Sequence, residues 1–253
     1  MRKETRISFK SPTQLVVENG VSTQLGQYLR KLNVRHPLLV TDSVIVEQGI
    51  MERVRSAAME DGIQFSIYQE VLPEPPERNV NEALELYRAE RCDGVVGLGG
   101  GSAMDVAKAV AMLVTNSGSY SDYVGIGKVP IRGDNLVLMP TTSGTGSEVS
   151  VFSIMLVNGS KAGVVDENIS ANIALVDPLL TISVPRRVTA STGLDAFCHH
   201  LESLLSTNAS PLSDAICLEG IRVISRYLRK AVGNGKGRPS RFETVDGSLY
   251  HKF

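Results

Sequence analysis

The sequence predicts an α/β fold in which a Rossmann-like parallel sheet is followed by an all-α region. Three observations support this fold class. Apolar strands alternate with amphipathic helices along most of the chain, one strand runs directly into a glycine-rich turn that opens a helix, and the pattern becomes purely helical beyond residue 185. We therefore expect an α/β domain over residues 1–184 and a helical region over residues 185–253.

The predicted elements follow one another at the spacing of a doubly wound sheet. An edge hairpin is expected from residues 6–9 and 14–18, helices at 22–33, 43–61, 79–91 and 103–114, and strands at 37–42, 65–68, 94–98 and 136–140. Strands at 151–157 and 173–177 are expected to form a hairpin around the turn at 158–161, and helices are expected at 192–205 and 212–231. Ligands of such sheets bind at the carboxyl ends of the strands, which directs attention to the loops there.

The glycine-rich turn is the first candidate site. Gly99, Gly100, Gly101 and Ser102 separate a buried strand from a helix. A turn without Cβ atoms lets a phosphate approach the backbone, and the helix N-terminus attracts an anion. The spacing is G-x-G-x-x-S, which differs from the dinucleotide fingerprint G-x-G-x-x-G and from a P-loop. A cofactor diphosphate site and a turn that is rich in glycine for packing alone both fit this stretch.

Asp42 ends a predicted strand at the same edge of the sheet. A carboxylate at this position can accept hydrogen bonds from an adenosine ribose and would repel a 2′-phosphate, which favours NAD over NADP. The alternative is that Asp42 caps the helix expected from residue 43.

A second polar loop follows the strand at 136–140. It contains Thr141, Thr142 and Thr145 together with two glycines, and its hydroxyl groups suit contacts with ribose and phosphate. A loop whose serine and threonine side chains satisfy one another is the alternative.

The predicted helix at 192–205 carries Asp195 and His199 four residues apart, and hence on one face. A carboxylate and an imidazole in this arrangement form half of a site for a divalent first-row metal. A structural ion pair is the alternative, and His200 has no assigned role. Apolar stripes are expected to face the core of both late helices. They comprise Leu194, Phe197, Cys198, Leu201 and Leu204 on the first helix, and Ala215, Leu218, Ile221, Ile224 and Leu228 on the second.

The composition favours a cytoplasmic protein that binds a small molecule. The net charge is −1 and both signs are interspersed, so the chain has no electrostatic footprint for nucleic acid or an anionic membrane. No stretch has the length of a membrane span or the pattern of a signal peptide. The three cysteines lie in apolar stretches, which is typical of reduced thiols in a core.

Three blocks of this sequence resemble the iron-containing (group III) alcohol dehydrogenases. The blocks are Gly99–Ser102 with Asp105 and Lys108, then residues 140–148, and then residues 174–178 continued by Pro185, Thr192, Gly193, Asp195, Ala196 and Glu202. The resemblance implies an NAD-dependent, metal-dependent oxidoreductase that interconverts a small alcohol and its aldehyde or ketone. Related enzymes (a glycerol-type dehydrogenase, a maleylacetate reductase or a dehydroquinate-synthase-like lyase) and a non-catalytic dinucleotide-binding remnant are the alternatives.

The resemblance also implies roles for individual residues. The cofactor-binding set would comprise Asp42, Gly99, Gly100, Gly101, Ser102, Asp105, Thr141, Thr142, Thr145 and Leu180, and the ligands of an iron or zinc ion would be Asp195 and His199. The family's two later histidine ligands have no counterpart, because the only later histidine is His251. From about residue 237 the sequence shows neither periodicity nor family resemblance. We therefore expect a dinucleotide-binding domain over residues 1–184, followed by a helical metal-binding domain that is truncated or frameshifted near Lys236. Such a chain would be inactive alone. The apolar stripe of the helix at 192–205 would lack its packing partner, so the chain could form a homo-oligomer.

Overall fold

The computed structural model describes residues 10–233 of the chain. These residues belong to two compact units. The larger unit comprises Pro12–Thr141 and Ser147–Leu180, and the smaller one comprises residues 10–11, Thr142–Gly146 and residues 181–233. The domain boundary at residue 184 stays a prediction.

The helices and strands alternate in the larger unit. Its strands are β1 (Gln14–Val17), β2 (Leu38–Val40), β3 (Ser66–Tyr68), β4 (Val95–Gly99), β5 (Gly125–Ile126), β6 (Leu136–Pro140), β7 (Phe152–Val157), β8 (Ser160–Val165) and β9 (Ile173–Val176). Its helices are α1 (Leu25–Lys31), α2 (Ser43–Glu47), α3 (Ile50–Glu60), α4 (Glu77–Ala89) and α5 (Gly101–Thr115). The smaller unit contains α6 (Arg186–Leu205) and α7 (Pro211–Gly233).

Six strands form a wholly parallel sheet in the order β1-β9-β6-β4-β2-β3. Every residue of β2, β4, β6 and β9 is buried, which explains why these strands are continuous apolar runs without polar alternation. Because β4 lies between β2 and β6, the glycine turn after β4 is central along the carboxyl edge. The predicted α/β fold, with a parallel sheet followed by helices, is confirmed.

Alternate strand residues contribute to two hydrophobic clusters, one on each face of the sheet. Leu38 and Val40 join a cluster that contains residues of α4 and α5, whereas Leu39 joins a cluster that contains residues of α1 and α3. The helices therefore cover both faces, and the sheet is doubly wound.

A smaller sheet in the order β5-β8-β7 accompanies the main sheet. The chain turns back at Asn158 and Gly159, both with positive φ, so that β7 pairs antiparallel with β8. The prediction that residues 151–157 pair with residues 173–177 is wrong. The turn is so tight that the returning strand begins at Ser160, and β9 is instead buried between β1 and β6 in parallel register.

Two further predictions about local structure need correction. Residues 14–17 form an edge strand as expected, but β1 pairs in parallel with β9. Its predicted hairpin partner at residues 6–9 lies outside the described residues. The single helix expected at 43–61 is divided into α2 and α3, because Gly49 has φ of 68° and a left-handed residue ends a right-handed helix.

The two helices of the smaller unit pack on each other through small residues. A Cβ on Gly193 of α6 would lie 2.3 Å from Leu228 Cδ1 of α7, and a Cβ on Gly220 of α7 would lie 2.2 Å from the His200 ring of α6. Because successive contacts run in opposite chain directions, the helices are antiparallel. Because the side chains at a contact set the distance between two helices, the glycines at these positions let the two backbones approach closely.

The predicted apolar stripes form this contact only in part. On α7, Ile224 is buried and Leu228 lies against Gly193. Leu194 is 56% exposed, Leu201 44% and Leu218 59%, because these side chains lie on the outward faces of the two helices. Cys198 is exposed, so the prediction of a core thiol is wrong for this residue, whereas Cys92 and Cys217 are buried. Within residues 10–233, no helix is both long enough and apolar enough to span a membrane.

Candidate cofactor-binding site

The glycine turn has the geometry of an anion site. Gly99 has φ of 155°, and a Cβ there would meet Ala103 Cβ at 2.8 Å. Gly100 is the N-cap of α5, and among the described residues no side chain caps it. Gly101 and Ser102, which open the helix, are partly exposed. Backbone N–H groups and the positive end of α5 thus meet at a surface that no Cβ of Gly99, Gly100 or Gly101 obstructs.

Asp42 lies beside this turn at the end of β2. One carboxylate oxygen, Oδ1, accepts a hydrogen bond from the Ile45 amide at 3.0 Å, so the interpretation of Asp42 as the N-cap of α2 is confirmed. The other oxygen, Oδ2, lies 3.3 Å from the position of a Cβ on Gly99. Because the two oxygens face different groups, capping leaves the ribose contact open, and that contact stays a prediction.

Backbone and hydroxyl hydrogen bonds fix the strand ends around the turn. The Thr141 amide donates to the Gly99 carbonyl at 2.9 Å, and the Thr41 hydroxyl donates to the Leu98 carbonyl at 2.7 Å. Sequence reasoning missed the role of Thr41, although a buried threonine just before Asp42 was a usable signal. Leu180 is fully buried in the cluster on the α1 and α3 face, and its expected cofactor contact stays a prediction.

Thr142 and Thr145 belong to the smaller unit and are partly exposed. Between them, a Cβ on Gly144 would lie 2.6 Å from the Thr192 carbonyl oxygen. This loop therefore packs against the backbone of α6, and glycine at 144 is required by the close approach. The roles of both threonines toward a cofactor stay predictions.

Asp105 and Lys108, one helical turn apart on α5, bind the segment that follows the polar loop. The Lys108 ammonium is fully buried and donates to Ser147 Oγ at 2.7 Å, Ser150 Oγ at 3.1 Å and the Phe152 carbonyl at 2.6 Å. Asp105 Oδ1 accepts from Ser147 Oγ at 2.5 Å, and Oδ2 accepts from the Ile154 amide at 3.1 Å. The 3.7 Å ion pair between the two side chains balances the buried charge.

The buried Tyr120 also holds strand β7, which begins within this segment. The Tyr120 hydroxyl donates to the Ser153 carbonyl at 2.6 Å, and Ser153 Oγ donates to the Asp105 carbonyl at 3.0 Å. Burial raises the pKa of Tyr120 to about 12, because the phenolate would be poorly solvated. The tyrosine therefore stays a neutral donor at physiological pH.

Asp195 and His199 lie on one face of α6, as predicted from their spacing. Asp195 Oδ1 and His199 Nε2 are 3.7 Å apart, and both side chains are partly exposed. Among residues 10–233, no group of three or more histidine, cysteine, aspartate or glutamate side chains is placed to hold a metal ion. A catalytic divalent metal takes about three protein ligands, so this pair by itself does not fit such a site.

Family models match both parts of the chain. The model described as "Iron-containing alcohol dehydrogenase" matches residues 12–178, and the model "Fe-containing alcohol dehydrogenase family, C-terminal" matches residues 189–250. The second match passes the point near Lys236 where the resemblance was expected to end, so that end point is wrong.

Similar proteins include several named dehydrogenases. The chain is 41% identical to "Long-chain-alcohol dehydrogenase 1" of Geobacillus thermodenitrificans over 90% of its own length and 59% of the relative's. It is 33% identical to the "NAD-dependent methanol dehydrogenase" of Bacillus methanolicus over 92% of its own length and 62% of the relative's. The chain thus spans about three fifths of the length of these curated relatives.

Solved structures agree with this assignment. A 1,3-propanediol oxidoreductase has a TM-score of 0.95 at 30% identity, with 98% of this chain and 65% of that chain covered. The sulfoacetaldehyde reductase of Bifidobacterium kashiwanohense, solved in complex with NAD+, has a TM-score of 0.93 at 30% identity, with 98% and 66% covered. On the extent of the family match and the shared fold, the chain belongs to the iron-containing alcohol dehydrogenase family.

Proposed function

We propose that this chain binds NAD at the glycine turn and forms the cofactor-binding part of an oxidoreductase that interconverts a small alcohol and its aldehyde or ketone. The observation that carries the proposal is the juxtaposition of Asp42 with Gly99 beside the uncapped start of α5. A diphosphate would be held by the first N–H groups of α5, with Gly100, Gly101 and Ser102 nearest to it. The sulfoacetaldehyde reductase solved with NAD+ and the NAD-dependent methanol dehydrogenase support this choice of cofactor.

The cofactor preference follows from the charge of Asp42. Its Oδ1 is engaged by the Ile45 amide, so the carboxylate is held with Oδ2 toward the turn. A ribose with a free 2′-hydroxyl could donate to this oxygen, whereas a 2′-phosphate would be repelled. We therefore expect NAD to be preferred over NADP.

When bound, NAD supplies the redox chemistry by accepting or donating a hydride. The chain's own residues bind and orient it. Thr41 and Thr141 fix the strand ends, and α5 presents its N-terminal N–H groups. The Asp195–His199 pair supplies two donors, fewer than the three protein ligands that a catalytic iron or zinc ion would take.

A second candidate function rests on the two metal donors that the structure places together among residues 10–233. If these two donors hold no catalytic metal, a chain that binds NAD would act as a non-catalytic dinucleotide-binding protein. The two candidates share the cofactor site and differ in turnover.

Isothermal titration of the 253-residue protein with NAD and with NADP tests the shared part. We expect saturable binding with a tighter Kd for NAD. Alcohol-dependent NADH formation, assayed with added Fe²⁺ or Zn²⁺, separates the candidates, because the non-catalytic one binds NAD without turnover. Absence of NAD binding in the folded protein would overturn both.

A further inference from the structure

The outer edge of β7 is covered by two side chains of α5 and by the segment before α4, in place of a further neighbouring strand. β7 is an edge strand of the smaller sheet, with β8 on its other side. In a strand, the backbone groups of alternate residues point to the same edge, so Phe152, Ile154 and Leu156 present theirs together. The Phe152 carbonyl accepts from Lys108, the Ile154 amide donates to Asp105, and the Leu156 amide donates to the Pro75 carbonyl.

Asp105 and Lys108 thus provide one acceptor and one donor, as an adjacent strand would. Their spacing of three residues places both side chains on one face of α5. The three N–H bonds of the ammonium have three oxygen acceptors, and Ser147 Oγ accepts from Lys108 while it donates to Asp105. Such a satisfied buried network is rigid, because loss of one member leaves other polar groups buried without a partner.

Helix α5 is also the helix whose first residues form the glycine turn. One turn after Gly101 lies Asp105, and two turns after it lies Lys108. Both side chains are hydrogen-bonded to the segment from Ser147 to Ile154. Both oxygens of Asp105 already accept from protein donors, and Lys108 is 0% exposed. Neither charge is presented to a ligand at the turn.

We infer that Asp105 and Lys108 are a positioning pair that acts through the backbone of residues 147–154, and that neither residue contacts the cofactor directly. This inference rests on the proposed NAD site. It replaces the expectation that Asp105 belongs to the cofactor-binding surface. The pair holds Ser147, the last residue of the Thr141–Ser147 loop, against the helix that starts at the glycine turn.

The experiment compares hydrogen exchange and NAD affinity in the full chain. Lys108→Met keeps the aliphatic stem and removes all three donors. In the cofactor-free variant we expect amide exchange at residues 152–156 to become about tenfold faster or more, and the Kd for NAD to rise by about fivefold to tenfold. Arg55→Met, which breaks an exposed ion pair with Glu52 at the same spacing on α3, is the matched control and should change neither quantity.

Ser147→Ala is a milder variant for the case in which Lys108→Met does not fold. It removes the bridging hydroxyl but leaves Lys108 on Phe152 and Asp105 on Ile154, so both effects should be smaller, about twofold to threefold. Loss of NAD binding with unchanged exchange at 152–156 would show a direct cofactor contact and overturn the inference. Faster exchange with unchanged affinity would show a purely structural pair and overturn it as well.

The inference and the proposed function fail in different ways. If the unmodified protein binds no NAD, the proposed cofactor site is wrong, and the cofactor role of the pair is lost with it. Unchanged amide hydrogen exchange at residues 152–156 in both variants would show that Asp105 and Lys108 do not stabilise the outer edge of β7, whether or not NAD binds.

Discussion

Asp42 Oδ2 lies 3.3 Å from the place where a Cβ on Gly99 would be, although the two residues are separated by three helices and a strand in sequence. The parallel pairing of β2 with β4 brings their carboxyl ends together. A carboxylate and a turn without a Cβ therefore occupy one corner of the sheet. The effect of the Asp42 charge on cofactor preference can therefore be tested by substitution.

Asp42→Asn should narrow the preference for NAD over NADP. Asparagine caps a helix as well as aspartate does, so α2 keeps its cap while the repulsion of the 2′-phosphate is removed. A relative gain of about tenfold for NADP, or about 1.4 kcal/mol, is expected from titration calorimetry of both cofactors. Asp42→Gly removes the cap too and should lower thermal stability in addition. An unchanged NAD to NADP ratio in Asp42→Asn would place the ribose elsewhere.

Gly101→Val should abolish NAD binding and leave most of the fold intact. A branched side chain at the first position of α5 would occupy the space expected for the diphosphate. Titration calorimetry measures the binding, and circular dichroism checks the fold. Gly163→Ala is the control, because its added Cβ makes only ordinary contacts, the nearest at 3.6 Å. Unchanged affinity in a folded Gly101→Val protein would show that the turn is structural only.

Gly220→Ala should destabilise the pair of late helices. The added Cβ would lie 2.2 Å from two atoms of the buried His200 ring, which forces the helices apart. Overpacking typically costs about 1–3 kcal/mol, and the better helix propensity of alanine recovers up to about 1 kcal/mol. The free energy of unfolding by urea measures the net loss. Gly233→Ala, on the same helix and with open space in the described structure, should be neutral or stabilising.

Alkaline pH should destabilise the larger unit through its buried tyrosine. The pKa of Tyr120 is raised by burial from 10.0 to about 12, so the folded state keeps a proton that the unfolded state releases first. Stability is fully present below pH 10 and is lost as the pH rises from 10 toward 12. Urea unfolding at increasing pH should show this fall, with a shallower slope for Tyr120→Phe. Burial also raises the pKa values of Tyr68 and Tyr87, so some slope remains in that variant.

Metal binding through Asp195 and His199 should be weak. Two partly exposed donors 3.7 Å apart form half of a site, so we expect substoichiometric iron or zinc by elemental analysis and no turnover above background. His199→Ala should remove the residual metal without affecting the Kd for NAD. One chelator-sensitive metal per chain, with alcohol oxidation that depends on it, would contradict this prediction.

The sequence by itself determined the alternation of strands and helices and the position of the glycine turn. These features depend on local properties. The buried strand β4 is a continuous apolar run, and the glycines mark where the backbone has to leave the strand without a Cβ. The helical spacing of Asp195 and His199 was also readable, because residues four apart share a helix face whatever surrounds it.

Only the tertiary structure decided which distant groups meet. The partner of β7, the insertion of β9 between β1 and β6, and the burial of His200 against Gly220 depend on packing between segments far apart in sequence. The apolar stripes expected on α6 and α7 are buried only in part, because the closest approaches between the two helices are made at Gly193 and Gly220. Asp105 belongs to the cofactor-binding set that the family resemblance implies, and the sequence alone shows no partner for it or for Lys108. The tertiary structure pairs both side chains with residues 147–154, about forty positions later, as the 2.6 Å bond from Lys108 to the Phe152 carbonyl shows.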